Sequence, residues 1–452
     1  MRMVQNRRSI PSMPVLFAVV GFFVGQTRTA GKPPEEIDAA LVAFLRSSDA
    51  EERAEPAKTV SRLAEGDAAA VAGALRRVLV WEPLPRKGSF VHPSVSEGSV
   101  TVSYELPEDY DPARAYPAML CLADDGASCD DTIVWVKQVF TRLVRDFVLI
   151  CPQPRVGCDF HLSNSGAAGD MRTLIRQLRR QVHTDPDRLF MFGSRTAGDA
   201  AWVIAINHPD LFAGVFIFSG YPRVPYAQQT LALLLRNLEP LRVLSVWPTD
   251  PQDGETFRGR LVAAHNRAIS DYAKQSSLPI VGIEQDFDSG GAPPTLEETF
   301  ALMRSRRRPF ASNVSLWFRY PGHGQAGWLR QTAFLGEVWI DDQLSIHPAA
   351  GTDHNRFITE VIQSKMAYLE GRIEGQTVTV ETRRCAEIEL LLPLGAFDWT
   401  KPITVICNNR RRHHGVVRPS IPTMLETAYE NWDFERPVAA RITFSIRSED
   451  AP

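Results

Sequence analysis

The chain has 452 residues, enough for two or three domains, and its 44% hydrophobic and 23% charged residues are those of an ordinary globular protein. A formal net charge of -3 gives no reason to expect a nucleic-acid partner. The six cysteines (Cys121, Cys129, Cys151, Cys158, Cys385, Cys407) form no C-x-x-C pair, and no metal-ligand spacing stands out.

At the amino terminus Arg2, Arg7 and Arg8 precede an apolar run from Pro14 to Gly25 that is too short to span a bilayer. This reads as a secretory signal within residues 1–30. Arg28 stands where a cleavage site wants a small residue, so retention as an amino-terminal anchor stays open. The expectation is an exported protein, periplasmic, extracellular or envelope-anchored, touching a membrane only through that segment. Residues 31–82 are rich in Ala, Glu and Arg. Ile37, Leu41, Phe44 and Leu45 recur at helical spacing, and a second such stretch runs from Val71 to Leu79. They predict a helical preface whose role is packing.

Residues 83–310 read as alternating strands and helices. Val100, Val102 and Tyr104 alternate with polar residues, Tyr116 to Ala123 is a buried strand, Ile133 to Val144 a helix and Phe147 to Cys151 a strand. Met171, Leu174, Ile175, Leu178 and Val182 give one apolar helix face. The stretch from Asp185 to Pro222 organises the rest: a strand (Leu189 to Phe192), a sharp turn (Gly193 to Gly198), a helix (Asp199 to Asn207) and a second strand (Gly214 to Ser219). Its turn stands at the carboxyl end of a parallel strand, where open α/β sheets place their sites. Strands at Leu241 to Trp247 and Ile280 to Ile283, with helices at Leu261 to Ala273 and Thr295 to Met303, complete an α/β domain that ends in Arg304 to Pro309. This alternation predicts a mostly parallel sheet with helices on both faces.

Residues 311–452 change to short strands: Val314 to Phe318, Val338 to Asp341, Thr377 to Thr382, Ile388 to Leu392, Ile403 to Cys407 and Ala439 to Ile446. They predict a β-rich domain with Asn408 and Asn409 as a hairpin turn and Arg410 to His414 as a solvated arm. Cys121 and Cys151 read as core residues. Cys129 with Cys158, and Cys385 with Cys407, are pairs open to disulfide formation in an oxidising compartment.

Three phrases, LPEDYDPARAYPAMLCL, DPDRLFMFGSRTAG and HPDLFAGVFIFSG, occur in that order. Together they resemble the exported α/β-hydrolase carboxylesterases similar to polyhydroxybutyrate depolymerases and feruloyl esterases, over Ser99 to Pro309. GRIEGQTVTVET and DWTKPITVICNN look like the β domain appended to some bacterial members. The resemblance implies an α/β-hydrolase fold, a Ser, Asp and His triad with an oxyanion hole, ester substrates and no cofactor.

The residues depart from that pattern at the chemistry. Arg195 occupies the apex of the elbow, and a guanidinium cannot attack a carbonyl. Ser194 would need small residues at Phe192 and Thr196 to serve instead. The oxyanion loop reads Ala123, Asp124, Asp125, whose carboxylates would repel a developing negative charge. Asp250 or Asp253 follows the right strand for a triad acid. The loop from Gln285 to Pro294 contains no histidine, leaving His323, between Gly322 and Gly324, as the candidate for a displaced base, with His208 read as structural.

The expectation is therefore an exported pseudoenzyme whose former-site pocket, Asp124, Asp125, Arg195 and Thr196, is plugged or binds something else. Arg195 pairs with Asp124 or Asp125, or it contacts an anionic small molecule. Two alternatives stand beside it: an active ester hydrolase using Ser194 (or Thr196), Asp250 and His323, and a scaffold whose β domain binds an envelope or extracellular partner.

Overall fold

The computed structural model describes residues 34–94, 98–153, 165–224, 227–249, 257–285, 307–308, 310–320, 322–336 and 351–446. The expected signal or anchor segment, the helix at Thr295 to Met303, the strand at Val338 to Asp341, Cys158, Asp250 and Asp253 lie outside the described residues.

Eight strands form the central sheet: β1 (Lys87–Ser94), β2 (Gly98–Glu105), β3 (Tyr116–Cys121), β4 (Val148–Gln153), β5 (Thr184–Ser194), β6 (Gly214–Phe218), β7 (Arg242–Pro248) and β8 (Ile280–Gln285). Their order is β1-β2-β4-β3-β5-β6-β7-β8, with β2 antiparallel to both neighbours and β3 through β8 parallel. This is the α/β-hydrolase fold. Side chains of β5 alternate between its two faces, as a pleated strand requires. Met191 joins a core with Leu120, Ile150, Trp202 and Ile217, while Phe190 and Phe192 join Cys121, Phe140 and Phe218 on the other side.

Helices α4 (Cys129–Phe140), α5 (Ser165–Gln181), α6 (Thr196–Asn207), α7 (Ala227–Leu235) and α8 (Phe257–Ser276) cover the sheet. Every residue of α6 from Ala197 to Asn207 is buried, so this helix has no polar face to show in the sequence.

Helices α1 (Pro34–Arg46), α2 (Ala50–Ala64) and α3 (Ala68–Arg77) form the expected preface. They do not stand alone. Leu41, Phe44 and Leu75 share a core with Met424, Leu425 and Ala428 of α10 (Ile421–Asn431), so the first and last described helices are packed together. The preceding helix, α9 (His354–Lys365), puts Ile362 into the hydrolase core, which Met366 just beyond it also joins.

The β-rich region is a two-layer sandwich. One sheet has the order β10-β11-β14-β17, the other β16-β15-β13-β12-β9. Its strands are β9 (Asn313–Phe318), β10 (Gln325–Ala326), β11 (Leu329–Phe334), β12 (Ala367–Glu374), β13 (Thr377–Arg383), β14 (Cys385–Pro393), β15 (Ile403–Cys407), β16 (Arg410–Gly415) and β17 (Val438–Ser445). Leu316, Phe318, Val378 and Ile403 from one layer meet Leu329, Ile388 and Leu390 from the other in a single core. Asn408 and Asn409 have φ of 47° and 61°, the left-handed pair that a two-residue hairpin turn demands. Cys385 and Cys407 are buried free thiols rather than a disulfide, and burial pushes the Cys385 thiol up to about 12.

Ion pairs pin the sandwich to the hydrolase domain. The Arg308 Nη2 atom lies 2.6 Å from Asp433 and 3.2 Å from Asp187, and Arg436 reaches Asp187 at 2.7 Å. On another side Asn237 exchanges two hydrogen bonds of 2.8 Å with the backbone of Trp317.

Candidate functional site

β5 ends at Ser194 and α6 begins at Thr196, leaving Arg195 alone between them with φ 54° and ψ -118°. That region is normally glycine territory and costs an ordinary residue about 1–3 kcal/mol. The Arg195 N–H donates to the Phe218 carbonyl at 2.8 Å, which ties the apex to β6. A Cβ placed on Gly193 would lie 2.3 Å from the Ala197 carbonyl oxygen, and one on Gly220 would lie 2.4 Å from the Gly198 carbonyl carbon. Only glycine lets strand, turn and helix approach this closely, and Gly193 therefore sets the frame with residue 195 at the apex. The turn is a nucleophile elbow. Ser194 belongs to the strand, opposite Phe218, one position short of the apex. Replacing Arg195 with Gly should raise stability by about 1 kcal/mol, because glycine adopts this backbone without strain; urea unfolding of Arg195→Gly beside the unaltered chain measures it.

Beside the elbow, the loop after β3 turns Asp124 toward α6, while Asp125 is exposed. Asp124 Oδ1 accepts the Thr196 backbone N–H at 3.0 Å and also the Thr196 hydroxyl. The same hydroxyl oxygen accepts the Asp125 backbone N–H at 3.2 Å. In a working hydrolase the amide after the nucleophile and an amide of the β3 loop are the two oxyanion donors. Here the corresponding amides, of Thr196 and Asp125, are bonded within the protein, and the group facing the first of them is a carboxylate.

The Arg195 Nε lies 3.6 Å from Asp124 Oδ2, with the arginine side chain 70% and the aspartate 25% exposed. That distance is an ion-pair contact, and the exposure places it at the surface, where such a pair contributes about 0–1 kcal/mol. The expected pair of Arg195 with Asp124 is present, but at the surface rather than as a buried plug: Arg195 lies over Asp124 in solvent.

Behind the elbow is a cluster that sequence reasoning missed. Asp199 is fully buried, accepts the Tyr221 N–H at 2.9 Å and holds Arg258 through two bonds of 2.9 and 3.1 Å. Burial works against the Arg258 charge, but the Asp199 hydrogen bonds outweigh it and hold its pKa above the usual value. The signal was an acidic residue in the first turn of an otherwise apolar helix. His265 lies on the same side, its ring 4.9 Å from that of Tyr221 and its Nδ1 2.8 Å from the Leu261 carbonyl of its own helix.

The structure does not bring Ser194 and His323 together. His323 packs against His208, with ring centroids 5.6 Å apart, and His208 caps the carboxyl end of α6. The elbow is at the other end of that helix, which is about 18 Å long. His323 is 1% exposed and its Nε2 has no hydrogen-bond partner; both His208 ring nitrogens are likewise unpartnered. Burial, with Arg319 and Arg172 adding repulsion, pushes the His323 pKa down to about 3. The alternative triad is thus not assembled among the described residues, and Asp250 falls outside them. No group of three or more His, Cys, Asp or Glu is placed to hold a metal among the described residues.

No protein-family model matches the chain. No curated protein is similar to it either. Among solved structures, matches cover about half of this chain. A thermostable esterase is 16% identical over 49% of this chain, with a TM-score of 0.38, and the chain spans 63% of that protein. A feruloyl esterase module from Clostridium thermocellum, complexed with sinapinate, is 13% identical over 49% of this chain and 89% of its own, with a TM-score of 0.37. An S-formylglutathione hydrolase from Staphylococcus aureus is 13% identical over 48% of this chain and 98% of its own, with a TM-score of 0.35.

Proposed function

We propose that this chain is a catalytically silent, carboxylesterase-like α/β-hydrolase that acts by binding or as a scaffold. The observation that carries this reading is the 3.0 Å bond from the Thr196 N–H to the Asp124 carboxylate. A tetrahedral intermediate needs that N–H for its own negative oxygen, and a carboxylate tethered in the same place both occupies the donor and repels the charge. Losing one oxyanion donor costs about 10²–10³ in rate, and losing a nucleophile costs about 10⁶. Arg195 at the apex and the histidine-free sequence after β8 therefore compound a defect that Asp124 alone would make severe.

Purified protein should neither hydrolyse short aryl esters nor take up a fluorophosphonate label. Turnover or labelling that disappears in Ser194→Ala would overturn the reading, and a parallel His265→Ala protein checks the histidine that faces Tyr221. Restoring a hydroxyl by Arg195→Ser should leave the protein inactive, since Asp124 still fills the donor site. Activity in that single variant at more than a hundredth of an ordinary esterase rate would mean that the carboxylate does not block the hole.

Export is part of the same proposal and rests on the Arg2 to Gly25 segment. Among the described residues no helix is long and apolar enough to cross a membrane. Cell fractionation of the tagged full chain tests it: recovery in the cytoplasmic fraction alone would remove export and leave the reading of the elbow untouched.

A further inference from the structure

A second concavity lies away from the elbow. A cleft of about 930 Å³ lies between the hydrolase domain and the β sandwich, large enough for a small organic ligand. It is lined by the loop that follows α6, including Asp210 and Phe212, and so opens at the amino-terminal edge of the parallel strands, the edge opposite the elbow. Nothing in the esterase chemistry of the fold uses this edge.

Its lining is basic in an unusual way: eight arginines and no lysine, against five carboxylates. Three of the arginines, Arg172, Arg176 and Arg179, recur at helical spacing along one face of α5. Arg172 is occupied by Asp210 in a bidentate pair of 2.7 and 3.2 Å. Arg179 is buried and bonded to the carbonyls of Asn431 and Pro186, and burial lowers its pKa to about 10. Arg176 makes no ion pair with any described carboxylate, and neither does Arg236, which lines the cleft from the turn after α7. Arg176 also acts repulsively on its neighbour Arg180, whose pKa is lowered, chiefly by burial.

Stacking like charges on one helix face costs stability. Among the described residues neither Arg176 nor Arg236 has a carboxylate partner, while guanidinium groups are well suited to planar, bidentate recognition of carboxylate and phosphate. Ser312, Asn313 and Ser315, at the start of the edge strand β9, add neutral hydrogen-bonding groups to the same cleft.

We infer that this interdomain cleft binds a small anion carrying two or more carboxylate or phosphate groups, with Arg176 and Arg236 as its cationic contacts. The site is independent of the elbow and of whether the elbow is silent.

Calorimetric titration of the full chain with citrate and, separately, with pyrophosphate tests it and distinguishes the two anion chemistries. At least one should saturate with a dissociation constant below about 1 mM, weaken as salt is raised, and weaken at least tenfold in Arg176→Glu/Arg236→Glu. Neither residue pins the domains together, and circular dichroism of the variant confirms the fold; Arg176→Gln/Arg236→Gln replaces it if the charge reversal disturbs folding. Failure of both anions to saturate by about 1 mM, or a loss of less than tenfold in the folded variant, would refute the site.

Discussion

Arg308→Ala should destabilise the protein by about 3–5 kcal/mol, the usual cost of removing one partner from a buried ion cluster. The reason is arrangement rather than number of charges. Arg308 donates to Asp433 and Asp187, and its Nη1 donates to the Asp210 carbonyl at 3.0 Å. The Asp433 side chain is 11% exposed. Burial alone would raise its pKa, yet Arg308, Arg179 and Arg436 hold it below the ordinary aspartate value. Without Arg308 that carboxylate keeps its desolvation cost and loses its strongest partner. The residue also joins the hydrolase domain, through Asp187 on β5, to the segment after α10, through Asp433. Urea unfolding of Arg308→Ala and Arg308→Lys measures the effect. A loss below 1 kcal/mol in both would show that the domain junction is held by apolar packing alone.

The second large effect is on pH dependence. His323 and His208 are buried as neutral rings, His323 with its pKa lowered to about 3 and His208 with its pKa well below the ordinary 6.5. A histidine whose folded pKa is depressed contributes stability that is fully present above its unfolded pKa and is lost as pH falls toward the folded one, because the unfolded chain binds the proton first. From pH 6.5 to 4.5 His323 alone removes about 2.3 kcal/mol, because its unfolded form is already half protonated at the upper end, and His208 acts in the same direction. The window lies above the range in which carboxylates such as Asp433 titrate, so the two contributions separate. The midpoint of urea unfolding should fall steadily between pH 6.5 and 5, and His323→Leu should flatten that fall. An unchanged slope in the variant would mean that His323 is protonated inside the fold.

Much of the fold could be read from patterns that are local. Buried parallel strands announce themselves as apolar runs, and the helix face of Met171, Leu174, Ile175 and Leu178 reappears in α5, with Val182 just beyond its end, all five residues in the core. Strands β9, β13, β14, β15 and β17 were legible for the same reason. Strand β12 and helices α7, α9 and α10 were not, and α10 shows why: its apolar face is met by α1 to α3 from the other end of the chain. Periodicity reports that a helix has an apolar face, but not what covers it. The division into preface, hydrolase and β regions is linear, whereas packing joins the first region to the last.

The candidate site divides in the same way. The sequence by itself determined the residue at the apex, the acidic loop after β3 and the absence of histidine from Gln285 to Pro294, since these are matters of identity at positions that the glycines of the elbow fix. Only the tertiary structure decided that Asp124 lies on the Thr196 amide, that Arg195 points into solvent, that Asp199 and Arg258 are paired behind the turn, and that His323 is at the far end of α6. These depend on side-chain directions between segments distant in sequence, 72 positions apart for Asp124 and Thr196 and 59 for Asp199 and Arg258. Such directions are set by packing and hydrogen bonding across the whole fold, and no local pattern of residues carries them.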